Sequence, residues 1–400
     1  MASIMDYLDW RGDIPFSFSP FNEADNLILC EASYVHFENI APGMDSTDTI
    51  SISEAAGRYL ELHQNALERA ADGSTRKSPL LLYKMAQTPR YANVQIGGYV
   101  NSFSKEREEQ MCAVTFFLPD GTAYAAFRGT DNTLAGWKED FNLSFLSETP
   151  GQKHAADYLS MYLKDTQCPL RIGGHSKGGN FAVYASAFCA PQVCDRILEV
   201  YNNDGPGFLS DVVASQQYQA VLPKVCSIIP EGSVFGLLLH HGYDHHIVKS
   251  SGKGIYQHDL MTWEVLGTSL REAASLTPVS AFLEKTLQAW VEKIDYEDRQ
   301  AFVETLFEIL TSGGADTLTD LGRFTLPQLK EHFRSFREMS SEEQKTFITT
   351  FTDLFKSGWN TFLTGLTDGR KPDPQEMIEA PEADRVQHTK KTSGTNQTVR

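Results

Sequence analysis

Leu170-Arg171-Ile172-Gly173-Gly174-His175-Ser176-Lys177-Gly178-Gly179-Asn180-Phe181-Ala182-Val183-Tyr184-Ala185 is the stretch whose reading decides the fold. Residues 170–173 form a short apolar run with strand character, and Lys177 to about Ala190 has the composition of a helix. Between them, Gly174-His175-Ser176-Lys177-Gly178 fits G-x-S-x-G, the pattern of a serine carried on a sharp strand-to-helix turn. Such a turn needs neighbours without side chains, because bulk there meets the adjoining strand and helix. It also exposes the serine Oγ beside a helix N-terminus, where developing negative charge is favoured. The chance alternative is a glycine-rich connector, but the flanking strand and helix favour a nucleophile at Ser176.

Working outward, strand signals precede this turn: residues 95–100, then 112–118, a Pro119-Asp120-Gly121-Thr122 turn, and 123–128, the last two runs reading as a hairpin. A helix is predicted over 151–165. After the nucleophile come strands over 197–202 and 225–229. Strands alternating with helices predict a mostly parallel sheet covered by helices on both faces, an α/β class fold. Upstream, residues 1–50 read only as a lead-in, although Asp25 to Ala32 could begin a buried helix, and Ser53 to about Ala71 reads as an amphipathic helix behind a Ser N-cap. Beyond about Asp259 the β signal fades into helical stretches over 279–295, 297–312 and 340–357. From about Asp368 the Pro, Glu, Lys, Thr and Gln content predicts a disordered tail. The expected organisation is therefore a catalytic domain over 1–265, a helical accessory region over 266–367 and a tail over 368–400.

A serine hydroxyl needs a base, and the base needs an orienting acid, both downstream of the nucleophile in this fold order. His258, in Tyr256-Gln257-His258-Asp259, is the candidate base. Two acids compete, Glu231 and Asp204, each following a predicted strand at the edge where active-site loops gather. Glu231 is favoured because it follows the second strand after the nucleophile; Asp204 is alternatively a turn-capping carboxylate. For the oxyanion, one donor is expected to be the backbone amide of Lys177, and another comes from Phe127-Arg128-Gly129-Thr130, where Thr130 offers an amide and a hydroxyl. Trp137 and Asp140 read as anchors of that loop. The histidines at 240, 241, 245 and 246 lack metal-ligand spacing and read as a solvated loop, so no metal and no cofactor are expected.

The net charge of -17 opposes phosphate backbones and anionic surfaces, which argues against nucleic acid as a partner. Six cysteines without C-x-x-C pairs, and no signal-peptide pattern at the start, predict free thiols and a cytoplasmic protein. No apolar run approaches the roughly 20 residues of a membrane span.

Phe127-Arg128-Gly129-Thr130, then Trp137 and Asp140, then Gly174-His175-Ser176-Lys177-Gly178-Gly179 together resemble the class 3 lipase branch of α/β-hydrolases. Residues 1–265, including Gln257-His258-Asp259, more closely resemble the bacterial Mbeg1-like family of lipase-like proteins. The resemblance implies an α/β-hydrolase sheet with Ser176 as nucleophile, His258 as base, Glu231 as acid and Thr130 on the oxyanion loop. Class 3 lipases usually carry Asp where Glu231 falls, and Leu or Gln where Lys177 stands. No long apolar lid follows Trp137, so an intracellular esterase acting on a small acyl ester or lipid-like substrate is expected rather than an oil–water interface lipase. The alternative is a catalytically silent binding or signalling module whose C-terminal helices dock a protein partner.

Overall fold

A computed structural model of the chain describes residues 2–278 except 74–75 and 131–133, with a few single positions as far as 304. The predicted helices after 279 and the tail from 368 lie almost wholly outside the described residues. The N-terminal elements are α1 (Ile4–Arg11), α2 (Glu23–Ala32), β1 (Ile50–Ser51), α3 (Ile52–Leu62), α4 (Ala66–Ala71) and α5 (Ser78–Ala86). The hairpin strands β2 (Gln95–Ser104), β3 (Glu109–Phe117) and β4 (Ala123–Phe127) follow. The alternating part comprises α6 (Leu134–Asn142), α7 (Pro150–Tyr162), β5 (Leu170–His175), α8 (Lys177–Phe188), α9 (Pro191–Cys194), β6 (Ile197–Asn203), α10 (Ser210–Ala214), α11 (Gln216–Val221), β7 (Val225–Pro230) and β8 (His245–Val248). A small hairpin, β9 (Val265–Leu266) with β10 (Ser269–Leu270), lies where the sequence promised only helix.

The eight strands from β1 to β8 form one sheet in sequence order. Pairings up to β3–β4 are antiparallel and those from β4 to β8 are parallel. Apolar side chains leave both faces of the sheet, so helices must cover both. One face packs α1, α2, α3 and α5 around Leu27, Ile28, Phe116 and Trp263; the other packs α7, α8 and α11 around Phe127, Ile172, Phe181 and Tyr218. This is an α/β-hydrolase-type fold, with the C-terminal ends of the parallel strands converging on one rim.

Two sequence readings change. The helix expected over 53–71 starts earlier, because Ser51 is the N-cap and accepts from the Glu54 amide at 3.1 Å, and it breaks between α3 and α4, where Asn65 adopts φ 65. The first 50 residues are also more than a lead-in. All of α2 after Glu23 is buried, and its polar residues are inside because each has partners. Asp25 forms a fully buried ion pair with Arg90 at 2.5 Å, and Tyr91 also donates to the carboxylate. Arg90 further donates to the carbonyls of Ile14 and Ser19, both at 2.9 Å. Asn26 donates to Asn203 Oδ1 at 2.9 Å at the end of β6, which ties α2 to the rim where the site lies.

Removing Arg90 strands a buried carboxylate and two carbonyls. The Arg90→Met variant is expected to lose about 3–5 kcal/mol of unfolding free energy in urea titration; a loss below about 1 kcal/mol would show that Asp25 finds other compensation.

Candidate active site

Strand β5 delivers the chain into the turn at Ser176, which adopts φ 59 and ψ -133 before α8 begins. A non-glycine residue in that region is strained, and the surroundings hold it there. The Ser176 amide donates to the Asn203 carbonyl at 3.0 Å, and Gly178 packs so closely under β4 that a Cβ on it would lie 2.1 Å from the Phe127 carbonyl oxygen. As the first residue of α8, Lys177 has an amide without an intrahelical acceptor, immediately after the serine.

The residues that follow β4 lie directly against Ser176: a methyl built on Gly129 would stand 2.9 Å from Ser176 Cβ. The Gly129 amide is already used, because it donates to the Tyr34 hydroxyl at 3.2 Å. Of the loop residues 128–130, Arg128 donates its amide to the Cys112 carbonyl at 2.9 Å, and Thr130 follows at the end of the described loop. Its hydroxyl is committed elsewhere, to Asp140 Oδ2 on α6 at 2.5 Å. Burial raises the Asp140 carboxyl to about 6, against the opposing pulls of the Lys177 ammonium and the Thr130 hydroxyl. The Trp137 side chain lies outside the described ones.

The Lys177 side chain runs the other way from its amide. Its ammonium is fully buried against Glu139 of α6 at 2.9 Å, with the Gln110 side chain at 3.3 Å. Glu139 also accepts the amides of Gln110 at 3.0 Å and Gly151 at 2.7 Å, so every oxygen of this buried carboxylate has a partner. The Lys177 side chain thus fastens α6, and with it the loop after β4, to α8.

His258 reaches the same rim at the end of a short 3-10 turn, Gly254–His258. The preceding carbonyl, of Gln257, accepts from the buried Trp263 indole at 2.7 Å. The His258 ring lies between His175 and Phe235, with centroids 4.5 and 4.3 Å away. Its Nδ1 meets Asp204 Oδ2 at 2.6 Å. Asp204 is completely buried in a left-handed turn at φ 53, and its other oxygen accepts from the Ser233 hydroxyl at 2.5 Å and the Gly236 amide at 3.1 Å.

The structure therefore places Asp204, not Glu231, against the histidine. Glu231 follows β7 but turns toward the next strand segment and pairs with Lys249. Strand counting does not show that β6 lies directly beside β5 and that its final turn folds back over Ser176, where a Cβ on Gly205 would sit 2.4 Å from the Ser176 carbonyl oxygen.

A directional chain of hydrogen bonds was not anticipated. The His258 carbonyl can only accept, so His175 Nε2 carries the proton of their 2.7 Å contact. Burial, reinforced by the nearby His258, holds His175 well below the ordinary histidine range and hence neutral, so its Nδ1 accepts from the Tyr34 hydroxyl at 2.8 Å. Tyr34 in turn accepts from Gly129. The loop bearing His258, the turn at Ser176 and the loop after β4 are linked by this single series. A tyrosine so far upstream carries no local sequence signal for such a role; only the x position in G-x-S-x-G marks His175.

The other histidines are not merely solvated. His245 and His246 lie on β8, His241 is buried, and His240, His241 and His245 with Tyr243 help line a cavity of about 600 Å³ to which neither Ser176 nor His258 contributes. Among the described residues, no group of three or more His, Cys, Asp or Glu is arranged to hold a metal ion, and no helix is long and apolar enough to cross a membrane.

Two outcomes follow. Tyr34→Phe leaves the Gly129 amide and His175 Nδ1 without their partner and is expected to cost about 1–3 kcal/mol in urea unfolding; an unchanged midpoint would count against the chain of bonds. Asp140 is raised on folding, so the cost of ionising it is absent below the ordinary carboxylate range and develops as pH rises through about 6. Relative to Asp140→Asn, the wild type should lose about 1–3 kcal/mol between pH 4 and pH 8, measured as the pH dependence of the stability difference; a flat difference would remove the claim.

A family model described as Mbeg1-like matches residues 85–308. No curated protein matches the chain. Among solved structures, the chain is similar to one described as the crystal structure of M37 lipase, with 14% identity and a TM-score of 0.33, covering 54% of this chain and 70% of that one. The family match spans more than half of the sequence and takes in the oxyanion loop, the nucleophile turn, Asp204 and His258: this chain belongs to the Mbeg1-like family.

Proposed function

We propose that the protein is a serine hydrolase that cleaves carboxylic esters, with Ser176 as nucleophile, His258 as base and Asp204 as the orienting acid. The observation that carries the reading is the 2.6 Å contact of His258 Nδ1 with a fully buried carboxylate, next to a serine in a strained strand-to-helix turn. With Nδ1–H committed to Asp204, the remaining nitrogen, Nε2, is the lone-pair site that takes the Ser176 proton as Oγ attacks the ester carbonyl. The oxyanion so formed is met by the amides of Lys177 and Thr130, and the imidazolium is stabilised by Asp204. His258 then returns its proton to the leaving alcohol, and water deacylates the serine by the same route.

The preferred substrate class is a small acyl ester or lipid-like ester, and the expected location is the cytoplasm. Buried Asp204 has three donors, whereas Glu231 has its own cation in Lys249. Fluorophosphonate labelling of the purified protein tests the assignment. Ser176→Ala and His258→Ala should abolish labelling, Asp204→Asn should slow it by about 10²- to 10⁴-fold, and Glu231→Gln should leave it unchanged. A folded wild type that does not label, or an Asp204→Asn variant that labels normally, would overturn the reading.

A further inference from the structure

The far end of the nucleophile helix holds a second reactive arrangement. Helix α8 ends at Phe188, Cys189 is extended at φ -71 and ψ 170, and Pro191 starts α9 after an extended Ala190. This reversal brings Cys194 back onto Cys189, with the two Sγ atoms 2.6 Å apart and no atom between them. Both sulfurs also face the Ser186 carbonyl, at 3.8 and 3.4 Å. Lys224 donates to the Cys194 carbonyl at 3.2 Å, which fixes α9 in this position. Cys189 is buried and Cys194 is partly open to solvent. The remaining cysteines, at 30, 112, 168 and 226, have no thiol facing them among the described contacts.

We propose that Cys189 and Cys194 form a reversible disulfide, a redox modification site that takes low-molecular-weight disulfides as its oxidant. Cys194 is the attacking thiol, being the more exposed; the contact from Cys189 lowers its pKa, and that same contact, together with burial, raises that of Cys189. The Cys194 thiolate attacks one sulfur of the small disulfide, forming a mixed disulfide and releasing one small thiolate. Cys189 loses its proton and attacks Cys194 Sγ, expelling the second small thiol. Two protein thiols are oxidised, one small disulfide is reduced to two thiols, and the protons of the protein thiols pass to those products. The bond closes the connection between α8 and β6 at the rim opposite the candidate active site, so it is expected to leave serine labelling unchanged. The proposal is independent of the reading of Ser176.

The test uses the full chain equilibrated in glutathione buffers of rising glutathione disulfide content, then alkylated and digested with trypsin. Residues Gly178–Arg196 form one tryptic peptide containing both thiols. It should lose the mass of two hydrogens and resist alkylation, with recovery on adding a dithiol; Cys189→Ser should instead leave glutathione attached to Cys194. The pair should also close at a less oxidising ratio in the native protein than in concentrated guanidinium chloride. Two alkylated thiols or a persistent glutathione adduct on the wild-type peptide at every ratio would overturn the proposal. So would equal closure in native and unfolded chains.

Discussion

The hydrogen-bond series from Gly129 through Tyr34 and His175 to the His258 carbonyl is the constraint on which the rest of the rim depends. Each link has one possible direction. An amide can only donate and a carbonyl can only accept, and burial keeps the imidazole between them neutral. A protonated His175 would present a second N–H to a tyrosine oxygen that already receives one. The loop after β4, the residue before Ser176 and the loop bearing His258 therefore hold their spacing together, and helix α2 supports the series because Tyr34 follows it by two residues.

Around that series lie charges removed from water but paired inside. Lys177 with Glu139, and Arg90 with Asp25, are both fully buried, and Glu31 is buried beneath Arg76 at 2.8 Å. Apolar residues of equal volume could replace such pairs with little loss or even a gain in stability. Their geometric effect is different, since a carboxylate satisfied by an ammonium and two amides tolerates little displacement. Glu139 fixes α6 relative to β3, α7 and α8 at once.

The strand-to-helix turn at Ser176 was legible in the sequence because a strained serine needs glycines at set offsets, and those leave a five-residue signature. The parallel sheet was legible from alternating apolar runs, and His258 was singled out because it lies downstream of Ser176, just before the helical region. Of the two candidate acids, strand counting favoured Glu231, but chain order does not say which turn lies beside Ser176, and it is Asp204, in a left-handed turn, whose carboxylate contacts His258. The N-terminal segment was underestimated for a related reason. Asp25, Asn26 and Glu31 look like surface residues until partners at Arg90, Asn203 and Arg76 are brought to them from distant positions.

The centre made by Tyr34, Gly129, Ser176, Asp204 and His258 draws on nearly the whole described chain, and its parallel strands are joined by crossovers rather than tight hairpins. Such non-local pairings form late, after loop-closure entropy has been overcome. During synthesis the serine turn leaves the ribosome well before the segment carrying His258, so the nascent chain exposes an ordinary, unactivated alcohol. The order of the sequence thereby postpones the meeting of Ser176, Asp204 and His258 until the sheet has closed and the remaining hydrophobic surface is covered.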